Sequence, residues 1–239
     1  MTAIDSVRFQ RASDQSLLVY FGEQITVAAH RRVLKLLRLL QLEPIAGIRN
    51  LHPAYCSLLV KFDALQTSHE AMEAALRTYI ARLEDFPLPN PRKIEIPVCY
   101  GDECSPDLEE IAKLRRITPE EAIDLHTSAT YTVYFLGFAP GFAYLGDLPE
   151  ALAIPRLDTP RRKVPAGSVA IAGRQTAVYP FSTPGGWRLI GRTPIAMFRP
   201  ELARQTQPKA LHDMSLLSIG DHVRFTRISR EQFAALHRQ

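Results

Sequence analysis

Glycine and aromatic residues crowd together in Gly137-Phe138-Ala139-Pro140-Gly141-Phe142-Ala143-Tyr144-Leu145-Gly146. Glycine permits positive φ and close backbone approach, while Phe138, Phe142 and Tyr144 supply large apolar faces beside it. Such a stretch either lines a pocket or partner surface, or it bends sharply and fills a core with its rings. It is not a phosphate loop, because neither G-x-G-x-x-G nor G-x-x-x-x-G-K-[ST] occurs.

A second stretch, Arg161-Arg162-Lys163-Val164-Pro165-Ala166-Gly167-Ser168-Val169, places cations just before a turn that enters a strand. Guanidinium and backbone N–H groups in that position can hold a carboxylate or phosphate; a solvated basic loop is the plainer alternative. Ser168 is no nucleophile elbow, since Ala166 and Ala170 stand where G-x-S-x-G needs its glycines. Thr183-Pro184-Gly185-Gly186-Trp187 is a turn followed by the only tryptophan, which either stacks on a ligand or plugs a core. His126 ends a helical segment and could act as general acid or base near neutral pH, or simply face the helix dipole. The histidines form no H-x-x-x-H pair, and Cys56, Cys99 and Cys104 form no C-x-x-C, so no metal site is expected. Spacing alone yields no complete catalytic constellation.

The elements that must carry these residues fall into two groups. Val7–Gln10 and Leu17–Phe21 read as strands around a Ser13-Asp14-Gln15 turn, and Thr26 caps a helix through Gln41 with Val33, Leu36, Leu37 and Leu40 on one face. Ile45–Leu51 and Tyr55–Phe62 read as strands. A second helix follows, with Thr67 and Glu70 as a capping box and a stripe of Met72, Ala75, Leu76, Tyr79, Ile80 and Leu83. Pro87-Leu88-Pro89-Asn90-Pro91 ends it and stiffens the join. With Ile94–Val98 as a further strand, the order β-β-α-β-β-α-β predicts an α+β domain, ferredoxin-like in outline, over residues 1–93.

Residues 94–239 read differently. Ser105-Pro106 and Thr118-Pro119-Glu120-Glu121 start two short helices. Tyr131–Leu136, Val169–Ala172, Ala177–Tyr179, Arg188–Ile190, Ile195–Phe198 and His222–Ile228 are then short β-prone runs between Pro/Gly turns, the pattern of a small barrel or sandwich.

The chain has 239 residues, 46% hydrophobic and 23% charged, which is ordinary globular composition. Its 29 Lys plus Arg against 25 Asp plus Glu are spread along the sequence, which argues against a nucleic-acid arm. Met1-Thr2-Ala3-Ile4-Asp5 lacks a signal-peptide pattern, and no run approaches about 18 apolar residues. A cytoplasmic, non-membrane protein is expected.

One resemblance ties these pieces together. Ile96-Pro97-Val98-Cys99-Tyr100-Gly101, Pro106-Asp107-Leu108-Glu109-Glu110, Tyr131-Thr132-Val133-Tyr134 with the Gly137–Gly146 loop, Val164–Val169, Ile171-Ala172-Gly173, Gln175-Thr176 and Pro184-Gly185-Gly186-Trp187 through Gly191-Arg192-Thr193-Pro194 resemble the family that holds the B subunit of 5-oxoprolinase (PxpB), KipI and allophanate hydrolase subunit 1. That resemblance implies a mainly-β cyclophilin-like barrel for the second domain. It also implies one part of an ATP-dependent enzyme that opens the lactam 5-oxo-L-proline to L-glutamate. Its partners would be the A subunit of that enzyme, together with a stably bound C-subunit homologue, with ATP used by the assembled complex. A histidine-kinase inhibitor and a urea or allophanate carboxyltransferase component are the alternatives the family admits. Carried over by position, the site comprises Arg161 and Arg192 as catalytic candidates, with Phe138, Pro140, Gly141, Phe142, Tyr144, Pro165, Ala166, Gly167, Ser168, Gln175, Pro184, Gly185, Gly186 and Trp187 as substrate or partner contacts; the reading of the residues themselves adds His126 as a third catalytic candidate. Arg174 departs from the usual pattern, standing where a second glycine is common.

Overall fold

The computed structural model describes residues 7–202 and 214–237, so the Met1–Asp5 reading lies outside the described residues. The chain packs as two compact units, Met1–Asn90 and Pro91–Gln239.

In the first unit β1 (Arg8–Ser13), β2 (Ser16–Tyr20), β3 (Ile48–Ala54) and β4 (Ser57–Phe62) form one antiparallel sheet in the order β1-β2-β4-β3. Alternation along β2 and β4 sends Leu17, Val19, Leu58, Val60 and Phe62 to one buried face. Helices α1 (Val27–Leu42) and α2 (His69–Ile80) supply Val33, Leu36, Leu40, Met72, Leu76 and Ile80 to the same core. Each such side chain, fully buried, contributes about 1.5–3 kcal/mol. The Thr26 hydroxyl caps α1 by accepting from the Ala29 amide at 3.1 Å. At α2 the cap is Ser68, accepting from Ala71 at 3.2 Å, one residue later than the Thr67 capping box expected from sequence. Pro53 is tolerated because β3 is an edge strand, where a missing N–H costs no ladder bond.

The ferredoxin-like outline needs correction. The strand read at Ile94–Val98 is β5 (Lys93–Cys99), and it joins the barrel of the second unit, leaving ββαββα with sheet order 1-2-4-3. Its apolar residues Ile96 and Val98 are matched by the length and pattern of β13 (His222–Ile228), with which it pairs in parallel over seven positions. A pairing partner more than a hundred residues away is invisible to local periodicity.

The remaining elements are α3 (Leu108–Arg115), α4 (Pro119–Ser128), β6 (Tyr131–Leu136), β7 (Ala143–Gly146), β8 (Arg161–Val164), β9 (Ser168–Ala172), β10 (Gln175–Val178), β11 (Thr183–Gly185), β12 (Arg188–Arg192) and α5 (Arg230–Leu236). Seven strands close into a barrel, β10-β7-β6-β13-β5-β12-β9, with the β9–β10 hairpin completing the ring. Thr118 and Glu121 form the capping box read for α4, whereas Ser105 does not cap α3 and instead accepts from the Gly101 amide. The Ile195–Phe198 run is not a strand; Phe198 makes only an isolated bridge to Ser215. The short helix α5 starts at a Ser229/Gln232 capping box that the sequence carries in plain view.

Alternation splits the barrel residues between two cores. Ile96, Val98, Tyr131, Val133, Leu145, Val169, Ile171, Val178, Ile190, Val223 and Phe225 form one cluster with Ile111 of α3 and Ile123 of α4. Ala170, Ala172, Ala177 and Leu189, from the opposite face of β9, β10 and β12, form the other with Phe142, Val164, Tyr179 and Trp187. Burial on both faces explains why β9 reads as an unbroken apolar run.

Candidate functional site

The glycine-aromatic stretch is the β6–β7 hairpin connection. Gly137 N donates to Phe142 O at 3.1 Å and Phe142 N to Ala139 O at 3.0 Å, folding the loop tightly. Its rings separate. Phe142 and Gly141 are buried, Tyr144 is half-buried, Pro140 is exposed and Phe138 is 62% exposed. Phe142 meets Tyr144, Tyr179 and Trp187 at centroid distances of 4.9, 5.3 and 5.8 Å, so it is the hub of the second core and not an exposed anchor. Trp187 is likewise buried, with Tyr144 at 5.8 Å. Phe138 packs edge-on against Phe142 and presents its remaining surface outward.

Beside these rings lie two arginines. The Arg156 guanidinium stands 5.8 Å from the Trp187 ring. Arg161 begins β8, pairs in register with Gly185 of β11, and reaches the Trp187 carbonyl with Nη1 at 3.5 Å. Its principal partner is the buried carboxylate of Asp107, whose other oxygen accepts from the Leu189 amide at 2.6 Å. Arg161 is thus already paired, and Arg156 is an exposed cation beside the Trp187 ring. Burial raises the Tyr144 and Tyr179 phenols above their usual range, keeping both protonated as O–H donors at neutral pH.

The basic stretch ends in a turn fixed from three sides. Gly167 N donates to Tyr179 O and Thr193 N to Gly167 O, each at 2.8 Å, and Arg192 Nε donates to Ala166 O at 3.2 Å. Gly167 has φ of +79°, and a Cβ there would run into the Thr193 carbonyl, so the position requires glycine. Pro165 and Ala166 are exposed, while Ser168 is buried at the start of β9 opposite Arg192. Gln175 shares the outer face with Ala177 by alternation, and Pro184, Gly185 and Gly186 lie on the β11 ribbon and the turn that follows it.

His126 is elsewhere. It lies in the barrel interior with no exposed surface, stacked on Phe225 at 4.5 Å. The Thr176 hydroxyl donates to Ala170 O at 3.0 Å, so it accepts from His126 Nε2 at 3.0 Å, and the Tyr100 hydroxyl donates to Nδ1 at 2.8 Å. Burial pushes the imidazole pKa down to about 3. A neutral, doubly satisfied ring sealed from solvent is a structural centre, which corrects its sequence reading as a general acid or base.

The geometry therefore gathers Phe138, Tyr144, Arg156, Arg161 and the 165–167 turn around the outer core, and leaves His126 out. Sequence reasoning missed Arg156, Tyr179 and the role of Asp107. Arg156 sits in no motif, and Asp107 shows its importance only when Arg161 and Leu189 arrive from distant strands. Among the described residues no His/Cys/Asp/Glu group could hold a metal ion.

Comparison with known proteins places this arrangement. Residues 7–211 match the model of the carboxyltransferase domain, subdomain C and D. The sequence is 42% identical over 243 residues to the B subunit of 5-oxoprolinase from Bacillus subtilis, covering 96% of this chain and 97% of the relative. The chain belongs to the 5-oxoprolinase B-subunit family. A second member, from Haemophilus influenzae, is 45% identical over 183 residues, covering 77% of this chain and 78% of the relative. The solved structure of TTHA0988 superposes with a TM-score of 0.75 at 34% identity, covering 91% of this chain. This chain spans only 40% of that longer protein. No helix of the described residues is long and apolar enough to cross a membrane.

Proposed function

We propose that this chain is the B component of an ATP-dependent 5-oxoprolinase, opening 5-oxo-L-proline to L-glutamate with the A and C subunits, and that its barrel is of the cyclophilin-like type. The observation that carries the reading is full-length identity of 42% to a protein named as the B subunit of 5-oxoprolinase. The geometry is consistent with a contributing surface. An aromatic wall, the half-buried Tyr144 phenol and the exposed Arg156 suit a small lactam ring bearing a carboxylate. Arg156 binds the carboxylate, Tyr144 and Phe138 bound the ring, and Arg161 holds β8 in place through Asp107.

Burial raises the Tyr144 and Tyr179 phenols, so neither serves as a base at neutral pH, and the proton transfers of lactam opening are assigned to groups brought by partners. No phosphate-loop motif occurs either, and we derive no step at ATP from this chain. Phe138 supplies an exposed aromatic anchor for the C-subunit homologue. The family description also covers carboxyltransferase domains, which favours a carboxyl-transfer component as the second reading.

The test is reconstitution. Co-expressed with its A- and C-subunit homologues, the chain supports ATP-dependent release of glutamate from 5-oxoproline, and alone it does not. Turnover by the isolated chain, or a reconstituted complex inert to 5-oxoproline, sinks the proposal.

A further inference from the structure

Away from the aromatic face, the end of β5 and the start of α5 border a half-open pocket of about 470 Å³. That lies within the usual size range of small-molecule sites, about 300–1,000 Å³. Cys99, Tyr100, Gly101, Glu103 and Cys104 form one wall, and Arg227, Ile228, Ser229 and Arg230 the other. Two guanidinium groups reach this lining, each beside one glutamate. Arg227 pairs with Glu120, and Arg230 Nη2 stands 3.6 Å from Glu103 Oε2. These glutamates are 61% and 89% exposed, so the pairs are worth little and an incoming anion displaces them without stranding a buried charge.

Beside these charges the lining combines apolar side chains with Gly101 and the helix-capping Ser229. The Tyr100 hydroxyl is committed to His126 Nδ1 at 2.8 Å, so this residue offers its ring and not its O–H. Ile228 and the Cys99 and Cys104 thiols complete that surface. We propose that this pocket binds a small organic acid, its carboxylate held by Arg227 and Arg230 and its hydrocarbon body against Tyr100 and Ile228. The site borders the 165–167 turn. Cys99 pairs with Arg192 of the adjacent strand β12, whose guanidinium lies 5.8 Å from the Phe233 ring of α5 and whose Nε reaches Ala166 O. The inference stands whether or not the chain serves a 5-oxoprolinase.

Calorimetric titration of the full chain with acetate, butyrate, butyramide and inorganic phosphate tests it, alongside alkylation of Cys104 read by peptide mass. Butyrate binds saturably and tighter than acetate, by about fourfold for each added methylene. It slows alkylation of Cys104, and the neutral butyramide does neither. Arg230→Gln and the Arg227→Gln/Arg230→Gln double variant, both at exposed positions, keep the circular dichroism of the parent and weaken butyrate by about tenfold or more. Phosphate binding as tightly as butyrate overturns the assignment to an organic acid. Butyrate binding unchanged in the double variant, or without protection of Cys104, overturns the site.

Discussion

Asp107 and Arg161 form an ion pair in which the carboxylate is 5% exposed and the guanidinium 28% exposed. The same carboxylate accepts the Leu189 amide, and the Asp107 amide donates to Leu189 O at 3.1 Å. One acidic side chain ahead of α3 thereby joins β8 to β12 and fixes where the basic stretch begins. Arg161 is a fastener for the ribbon beside Trp187, and Arg156 stands exposed beside that ring.

Removing either partner should cost more than removing both. Arg161→Gln leaves a buried carboxylate with one backbone donor and should destabilise the chain by about 2–4 kcal/mol. Arg161→Lys restores charge without the planar fork and should fall between parent and Gln variant. In urea unfolding, the Asp107→Asn/Arg161→Gln pair should recover about 1 kcal/mol or more relative to additivity. Additive losses would show that the two side chains do not cooperate.

The loop rings divide by burial, and so should their variants. Phe142→Ala removes the hub of the outer core and should cost about 3–5 kcal/mol, seen as a large fall in melting temperature. Phe138→Asp should leave melting unchanged within about 0.5 kcal/mol, yet weaken association with a co-expressed C-subunit homologue on size-exclusion chromatography. Loss of folding in Phe138→Asp would move that ring into the core.

Much of this arrangement was legible in the sequence, but unevenly. The helices α1, α2 and α4 follow from apolar spacing and caps, because a helix satisfies its backbone locally. Six of the barrel's seven strands were legible as runs, whereas β7 lay hidden in the glycine-aromatic stretch; their order was not legible, since β13 pairs with β5 across most of the second unit. The loop motifs were legible as positions and not as roles. Phe142, Trp187 and Phe138 share one residue class, and only tertiary packing decides which ring is buried. His126 shows the same limit: its place at the end of α4 was clear, but Tyr100, Thr176 and Phe225 close over it from three different strands or strand ends.

Two glycines with positive φ should respond differently to alanine. Gly173, at +56° in the β9–β10 turn, has open space at its Cβ position and should lose about 1–2 kcal/mol from backbone strain alone. Gly167, at +79°, adds a clash with the Thr193 carbonyl and must open the turn that Arg192 holds. Gly167→Ala should therefore melt well below Gly173→Ala. Equal losses would mean that the close approach to Thr193 relaxes without cost.

The buried histidine gives the stability a defined pH dependence. His126 titrates at about 3 when folded, against an ordinary value of 6.5, because burial opposes the imidazolium. Between those values the unfolded chain binds a proton that the folded chain refuses. Stability from this group is therefore fully present above pH 6.5 and is lost as pH falls toward 3, by up to about 1.4 kcal/mol per pH unit. Carboxylates titrate over the lower part of the same range, so the parent alone does not isolate the effect. His126→Gln keeps a polar group near Tyr100 and Thr176 but has no proton to take up. It should be less stable than the parent at pH 8, where the histidine's packing on Phe225 is lost without any proton linkage. The gap between the two urea midpoints should then narrow steadily from pH 6.5 to pH 4. A gap that stays constant over that interval would show that His126 takes no part in acid unfolding.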